Sequence, residues 1–187
     1  MKKRPPSKVY ISVGSNIGDR LLFISQAVGL LRDKGLQILK FSNIYETDSW
    51  GFESPIRFLN AVVIVSTFKT ESELLELIQQ IEKHLGRYRD KMVKEYQSRT
   101  IDMDILFYDD VEMETPDIVI PHPRLTERMF VLQPLSDVCG LANLPVFERV
   151  VSEFIKECKD TSKPSYFCSS DTFEMLIGDI ETVNDEL

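Results

Sequence analysis

The feature that most limits the fold is the segment 58–67 (FLNAVVIVST), which is apolar at both odd and even positions. Successive side chains of a β-strand point to opposite faces, so a strand with one solvated face alternates apolar and polar residues. Only Asn60 interrupts this run before the final Ser and Thr. We therefore expect 58–67 to be a central strand of a sheet.

Strand-like and helix-like segments alternate around this run. The sequence predicts strands at 8–13, 36–46 and 100–108, and a helix between Gly18 and the capping glycine Gly35. A second helix begins at the capping box Thr70-Glu71-Ser72-Glu73 and stops at Gly86. The resulting order, β-α-β-β-α-β, is typical of an antiparallel α+β sandwich of the ferredoxin-like type, with helices packed on the sheet.

The remainder of the chain is less regular. Short helices are predicted at 125–133 and 146–158, and we place the main domain at 1–160. Residues 161–187 carry six acidic side chains and one Lys, which favours a solvated tail of unknown role. The short apolar run Phe173–Ile177 leaves open that part of this tail docks on the fold.

Composition narrows the class of protein. The net charge of −8 argues against a broadly basic surface for nucleic acid. Three cysteines without CxxC spacing predict reduced thiols in a cytoplasmic protein. No segment approaches the roughly 20 apolar residues of a membrane span, and the apolar run Val9–Val13 is too short for a signal peptide. We expect a cytoplasmic monomer that binds neither membranes nor nucleic acid.

The strongest chemical signal is the segment 99–106 (RTIDMDIL). On a strand, Asp102 and Asp104 share one face while Ile101, Met103 and Ile105 share the other. Two carboxylates at this spacing can bridge a pair of cations about 3.5–4 Å apart. Hard oxygen ligands favour Mg²⁺, which also takes substrate phosphates and waters. The alternative is an ordinary solvated strand face, but we expect Leu106 and Tyr108 to continue the aspartate face, which argues against it.

Five basic residues of an otherwise acidic chain lie between Arg87 and Arg99, directly before the two aspartates. Guanidinium groups match phosphate oxygens in geometry as well as charge. Together with metal-binding carboxylates, they form the arrangement that phosphoryl transfer needs. A solvated charged loop remains the alternative for this cluster.

Two further positions are ambiguous from the residues alone. His122 lies between two prolines that hold an extended backbone, and it serves either a structural role or phosphate binding. Asn60 either fixes a neighbouring loop or binds the polar edge of a flat heterocycle on which Phe58 stacks. The segment 14–18 lacks the pattern of a phosphate-binding loop, and we interpret its glycines as tight-turn residues.

In their order and spacing, these motifs resemble the 6-hydroxymethyl-7,8-dihydropterin pyrophosphokinase family from about Val9 to Glu157. The matching motifs are Gly14-Ser15-Asn16-x-Gly18-Asp19, Tyr45-x-Thr47, Trp50-Gly51, Phe58-Leu59-Asn60-Ala61, Gln79-x-x-Glu82, Gly86-Arg87-x-Arg89, Ser98 to Leu106, Pro121-His122-Pro123-Arg124 and Arg128-x-Phe130-Val131-Leu132. Departures from the family pattern lie at Asp48-Ser49 and at Tyr96-Gln97-Ser98. The segment after about residue 160 is outside the resemblance.

The resemblance implies transfer of pyrophosphate from ATP to a reduced pterin, with release of AMP, in folate biosynthesis. It implies that the residues for catalysis are Arg87, Arg89, Arg99, Asp102 and Asp104, with two Mg²⁺ ions on the two aspartates. It implies that ATP contacts Gln79, Glu82, Arg87, Arg89, Arg99, Ile105, His122 and Arg128. It implies that the pterin contacts Thr47, Ser49, Trp50, Phe58, Asn60 and Phe130. The loops 47–57 and 87–98 would close over the substrates.

Two other functions remain open at this point. A different Mg²⁺-dependent nucleotide phosphohydrolase would use the same pair of aspartates without a pterin. An RNA-binding module would use the basic segment 87–99, although the acidic composition argues against it.

Overall fold

The computed structural model describes residues 4–87 and 97–184, with side chains through residue 178. The strands are β1 (Ser7–Ser15), β2 (Gln37–Phe41), β3 (Ile44–Thr47), β4 (Phe58–Thr67), β5 (Asp102–Tyr108), β6 (Met113–Glu114), β7 (Val119–Ile120) and β8 (Ser165–Cys168). The helices are α1 (Arg20–Asp33), α2 (Glu71–His84), α3 (Met129–Cys139), α4 (Val151–Glu157) and α5 (Ser170–Asn184), and a 3₁₀ turn covers Leu125–Glu127. Along the described ranges, no helix combines the length and apolar character needed to cross a membrane.

The main sheet has the order β5-β1-β4-β3-β8, and β2 also pairs with β4. Every pairing in it is antiparallel. The last strand of the predicted β-α-β-β-α-β unit thus lies beside the first, and β4 lies between the first and second. This arrangement confirms the mixed α+β fold with a mainly antiparallel sheet.

The predicted strand 36–46 is two strands, because Ser42 interrupts it. The Ser42 hydroxyl accepts a hydrogen bond from the Val62 backbone N–H at 2.9 Å, in place of a ladder carbonyl. The next N–H, of Asn43, turns to the Asp137 carboxylate at 3.1 Å. The Ser42 N–H still donates to the Val62 carbonyl at 2.9 Å, so a side chain replaces only the return bond of this main-chain pair.

Helices cover both faces of the sheet, which explains why β4 is apolar at every face. On one face, α1, α2 and α5 pack on residues such as Val63 and Val65. On the other face, α3 and α4 pack on Val62 and Ile64. The expectation of a central strand at 58–67 is confirmed.

The capping box that begins α2 forms as predicted. Thr70 Oγ1 accepts from the Glu73 N–H at 3.3 Å, and the Glu73 carboxylate accepts from the Thr70 N–H at 2.7 Å. The predicted helix 125–133 is instead a 3₁₀ turn followed by α3, which continues past Pro134. The periodic burial of its apolar side chains, worth about 1.5–3 kcal/mol each, outweighs the roughly 3 kcal/mol cost of an interior proline. The predicted helix 146–158 is reduced to α4.

The expectation of a solvated C-terminal tail is wrong for much of its length. β8 pairs with β3 through Tyr45 and Tyr166, and α5 packs on α1. Phe173 is fully buried, with its ring edge-on to Phe41 at a centroid distance of 5.3 Å. Ile177 is buried in the same core. The alternative that the sequence left open, docking of the run Phe173–Ile177 on the fold, is the one that the structure shows.

Candidate active site

The two aspartates of β5 face away from the core formed by α1 and α2. Asp102 and Asp104 are paired with Gly14 and Ser12 of β1, while Met103 between them is buried against the helices. This confirms the predicted alternation. The expectation that Tyr108 continues the aspartate face is wrong, because the register shifts near Leu106 and turns Tyr108 into the opposite core.

A cavity of about 380 Å³ opens above these strands. One end carries carboxylates and cationic groups, and the other end carries aromatic rings and an amide. The predicted site residues that line it are Thr47, Trp50, Phe58, Asn60, Arg87, Arg99, Asp102, Asp104, His122, Arg128 and Phe130.

A second cavity, of about 260 Å³, adjoins the first. Asp104, His122 and Pro123 line both cavities and so form the wall between them. Gln79 and Ile105 line only the second cavity. The predicted ATP residues are thus divided between a charged chamber and a more apolar one.

Three of the predicted residues are not placed in either cavity wall. Ser49 and Glu82 are described by the structure but line neither of the two cavities. Arg89 lies outside the described residues, so the structure does not test its predicted contact with ATP.

Glu82 is a buried carboxylate that holds Arg87 at the charged end of the cavity. Its carboxylate is buried, accepts the Met103 N–H at 2.9 Å and forms an ion pair with Arg87. Arg87 also bonds Asp102, whose second oxygen lies 2.9 Å from Arg99 Nη1. Two guanidinium groups are therefore fixed beside one aspartate, which is a preorganised environment for a polyanion.

Asp104 and His122 have shifted acidities because they lie in the wall between the cavities. Burial, followed by the charge of Asp102, raises the pKa of Asp104 to about 7. Burial, followed by the positive charge of Arg128, lowers the pKa of His122 to about 4. His122 Nδ1 accepts the Arg124 backbone N–H at 3.1 Å, so the neutral ring carries its proton on Nε2. That nitrogen lies 4.0 Å from Asp104 Oδ2.

The donor set at this wall fits Mg²⁺ bound together with a phosphate substrate. Two carboxylates face one cavity, and the repulsion between them is relieved when a cation binds. Within residues 4–87 and 97–184, no group of three or more His, Cys, Asp or Glu side chains could hold a metal ion alone. The remaining ligands would therefore be phosphate oxygens and waters, as is usual for Mg²⁺.

The other end of the cavity suits a flat heterocycle with a polar edge. Phe58 and Phe130 line it, and Asn60 donates to Thr47 Oγ1 at 2.8 Å. This bond joins β4 to the end of β3 and fixes the amide in the cavity wall. Asn60 therefore fixes the adjoining loop, as one interpretation predicted, and it also lines the cavity. Binding of a heterocycle by its amide stays a prediction.

Trp50 adds a side-chain contact that the sequence did not suggest. The Arg128 guanidinium carbon lies 4.6 Å from its ring centroid, and that of Arg124 lies 5.8 Å from it. Cation–π contacts of this kind link the loop between β3 and β4 to the arginines of the charged end.

Two residues of the segment 14–18 have roles that the sequence interpretation missed. A Cβ on Gly14 would lie 2.6 Å from Asn60 Oδ1, so this glycine leaves room for the amide rather than forming a turn. Asn16 accepts the Arg99 N–H at 2.7 Å and donates to Ser98 and Ser54. The sequence did contain a signal for the role of Asn16, namely its position in the Gly-Ser-Asn motif of the family. The turn interpretation does apply to Gly18, which has a φ of 64°.

Comparisons with known proteins agree with this geometry. Residues 10–140 match the family model described as 7,8-dihydro-6-hydroxymethylpterin-pyrophosphokinase, abbreviated HPPK. A protein of Bacillus subtilis (strain 168), named 2-amino-4-hydroxy-6-hydroxymethyldihydropteridine pyrophosphokinase, is 47% identical over 131 residues, which are 70% of this chain and 77% of the relative. A protein of Aquifex aeolicus (strain VF5) with the same name is 38% identical over 160 residues, which are 86% of this chain and 95% of the relative.

A solved structure supports the fold. The crystal structure of an HPPK-DHPS in complex with substrates has a TM-score of 0.66 at 15% identity, over 82% of this chain and 43% of that chain. This chain thus spans less than half of that longer protein. The family match covers well over half of the chain, and the two curated relatives exceed 30% identity. The chain belongs to the 7,8-dihydro-6-hydroxymethylpterin-pyrophosphokinase family.

Proposed function

We propose that this protein transfers the β,γ-pyrophosphate of ATP to the hydroxymethyl group of 6-hydroxymethyl-7,8-dihydropterin and releases AMP, a step of folate biosynthesis. The observation that carries this proposal is that one cavity, of about 380 Å³, has arginines and carboxylates at one end and aromatic rings with Asn60 at the other. Such a cavity brings a triphosphate and a flat heterocycle together within one site.

The pterin lies at the aromatic end in this proposal. Phe58 and Phe130 pack against the faces of its ring, and the Asn60 amide bonds its polar edge. Backbone groups of Thr47, Ser49 and Trp50 complete that edge. The fixed bond between Asn60 and Thr47 supports a preformed recognition surface.

The triphosphate lies at the charged end. Arg87, Arg99 and Arg128 neutralise its oxygens in this proposal. Arg89, which is not among the described residues, is proposed to do the same. His122 donates a hydrogen bond from Nε2–H to a phosphate oxygen, since its low pKa leaves the ring neutral at pH 7. Gln79 and Ile105 hold the adenine end in the second cavity, and Glu82 holds Arg87 in place.

Asp102 and Asp104 would hold two Mg²⁺ ions together with the triphosphate. When bound, these ions neutralise charge on the transferred group and orient it. The pterin hydroxyl oxygen attacks the β-phosphorus in line, the bond from this phosphorus to the oxygen of the α-phosphate breaks, and AMP leaves with that oxygen. The hydroxyl proton passes to solvent. The side chains supply positioning and charge rather than a strong general base.

In this scheme the loops 47–57 and 87–98 close over the substrates and exclude water that would hydrolyse ATP. Residues 88–96 of the second loop lie outside the described residues. We propose that the protein acts as a monomer in the cytoplasm, without nucleic acid or membrane partners. The acidic composition and the three free cysteines are consistent with this. The alternative of a nucleotide phosphohydrolase finds no support, since the curated relatives are named as pyrophosphokinases.

A product assay tests the proposal. Purified protein is incubated with ATP, Mg²⁺ and 6-hydroxymethyl-7,8-dihydropterin, and nucleotides and pterins are separated by mass. We expect AMP that depends on the pterin, with an equal amount of pterin diphosphate. ADP or free phosphate formed without pterin would refute the proposal and favour a hydrolase.

A further inference from the structure

The connection between β3 and β4 begins at Asp48 and ends at Arg57. Because Thr47 and Phe58 are paired across the two strands, the two ends of this connection lie side by side. They are joined by an ion pair of 2.9 Å between Asp48 Oδ1 and Arg57 Nε. The connection carries Trp50 and Phe52 to the cavity wall, so its two ends determine how these rings are presented.

The Arg57 guanidinium also binds Glu46 of β3, close to the start of the connection. Arg57 Nη1 lies 3.1 Å from Glu46 Oε2, and Glu46 Oε1 lies 2.7 Å from Arg20 Nη1. Arg20 in turn donates to the Arg57 backbone carbonyl at 2.7 Å. We call Arg20, Glu46, Asp48 and Arg57 the neck cluster. Charges alternate through it, and Asp48 is its one member in the cavity wall.

The C-terminal strand β8 supports the neck cluster from the outside. Ser165 Oγ donates to the Glu46 backbone carbonyl at 3.1 Å and accepts from Arg57 Nη1 at 3.4 Å. The neighbouring Tyr166 packs edge-on against Tyr45 at a centroid distance of 6.5 Å. β8 lies beyond residues 10–140, the part that matches the family model. The support is thus supplied by this chain's own C-terminal segment.

We propose that Arg57 is a positioning residue for the pterin: through the neck cluster and β8 it fixes both ends of the connection 48–57. This inference rests on the proposed function. A connection that is held at both ends has fewer conformations to lose when it closes. Pterin binding therefore costs less conformational entropy. Phe58, the stacking residue, directly follows Arg57 and shares this constraint.

The inference requires a selective effect. The residues assigned to the adenine end, Gln79 and Ile105, line the second cavity, and the described lining of that cavity includes no residue of the neck cluster. Loss of Arg57 should therefore raise KM for the pterin by a larger factor than KM for ATP, although Trp50 of the connection also contacts Arg128. The exposed fractions of Arg57 and Asp48, 38% and 76%, indicate that the fold depends little on their ion pair.

The test compares Arg57→Gln, Glu46→Gln and the double variant with the unmodified full-length protein. Arg57→Lys keeps the charge without the forked geometry, and Arg149→Gln removes a comparable surface ion pair, with Glu153, far along the chain. For each protein, KM for pterin, KM for ATP and the melting temperature are measured. We expect Arg57→Gln to raise KM for pterin about fivefold or more, the effect of a coupled pair of about 1 kcal/mol.

The further expected results are a less than additive double variant, partial recovery in Arg57→Lys, and wild-type constants in Arg149→Gln. An unchanged KM for pterin in Arg57→Gln, with an active wild-type protein, overturns this inference alone. Equal rises in both KM values, together with a lower melting temperature, also overturn it, because they indicate a merely structural role. A wild-type protein without pterin-dependent AMP production would overturn the proposed function and this inference together.

Discussion

Replacing Gly14 by alanine should impair pterin binding, although Gly14 is not itself a predicted substrate contact. Gly14 lies on β1 between Asn60 of β4 and Asp102 of β5. It has no side chain, and the side-chain amide oxygen Oδ1 of Asn60 occupies the space that a Cβ would need. The change therefore adds one methyl group at the point where the two ends of the cavity meet.

The size of the effect follows from the distances. The added Cβ would lie 2.6 Å from Asn60 Oδ1, whereas ordinary contacts begin at 3.4 Å. The amide must move by about 0.8 Å or rotate, which strains its 2.8 Å bond to Thr47 and misplaces it for the pterin edge. Loss of one hydrogen bond worth about 1.5 kcal/mol corresponds to about a tenfold rise in KM for the pterin.

The assay measures KM for pterin and for ATP in Gly14→Ala, with Gly29→Ala as the matched control. Gly29 lies within α1, and nothing lies within 4 Å of a Cβ added there. The control should keep wild-type kinetics and gain about 0.5–1 kcal/mol of stability from better helix propensity.

The double variant with Asn60→Ala shows whether Gly14 acts through the amide. If it does, adding Gly14→Ala to Asn60→Ala should cost little further affinity for the pterin. A Gly14→Ala protein with wild-type KM for pterin would show that the amide does not need the position seen here, and would refute the reasoning.

Three further predictions follow from the site and the core. Asp104→Asn should lower turnover by about 10³-fold, because charge stabilisation of several kcal/mol is lost. The control Asp110→Asn, in the exposed turn after β5, should leave turnover unchanged. Steady-state kinetics with Mg²⁺ tests both variants. The pKa of Asp104 is raised to about 7, so below that pH Mg²⁺ must displace a proton to bind. The apparent Mg²⁺ affinity should therefore fall by up to about tenfold per pH unit below 7. Calorimetry in the presence of ATP that finds no pH dependence would contradict the raised pKa of Asp104. Phe173→Ala should lower the free energy of unfolding in urea by about 3–5 kcal/mol and leave both KM values unchanged, because its fully buried ring packs far from the cavity.

The elements that the sequence predicted best are those with local causes. The apolar run of β4 and the capping box of α2 are patterns of residues adjacent in the sequence. The predicted bounds of β4 and the predicted start of α2 agree with the structure. The shared face of Asp102 and Asp104 follows from strand alternation alone. In each case the pattern within a few residues was sufficient.

The misplaced boundaries have causes in distant parts of the chain. The break at Ser42 depends on the Val62 N–H of a strand that follows later in the sequence. The reversal of Tyr108 depends on a register shift against β1. For the acidic C-terminal segment, average composition concealed two buried side chains, Phe173 and Ile177, whose partners come from the other end of the chain.

The candidate site shows the same division. The family motifs identified most of the residues that line the cavity, but they did not separate those in the wall from Glu82, which lies beneath it. The need for glycine at position 14 appears only when β1 and β4 are placed in register. Sequence patterns therefore identified the chemistry, and the structure supplied the spatial roles.

The position of β4 between two cores has a consequence for hydrogen exchange. Its backbone pairs with β1, β2 and β3, and helices cover both of its faces. Amide protons in such a strand exchange through global unfolding, whereas those of an exposed connection such as 48–57 exchange through local opening. The Asn60 amide group is thus carried on the most protected strand. The amide that we propose binds the pterin should therefore stay in place during local openings of the connection 48–57.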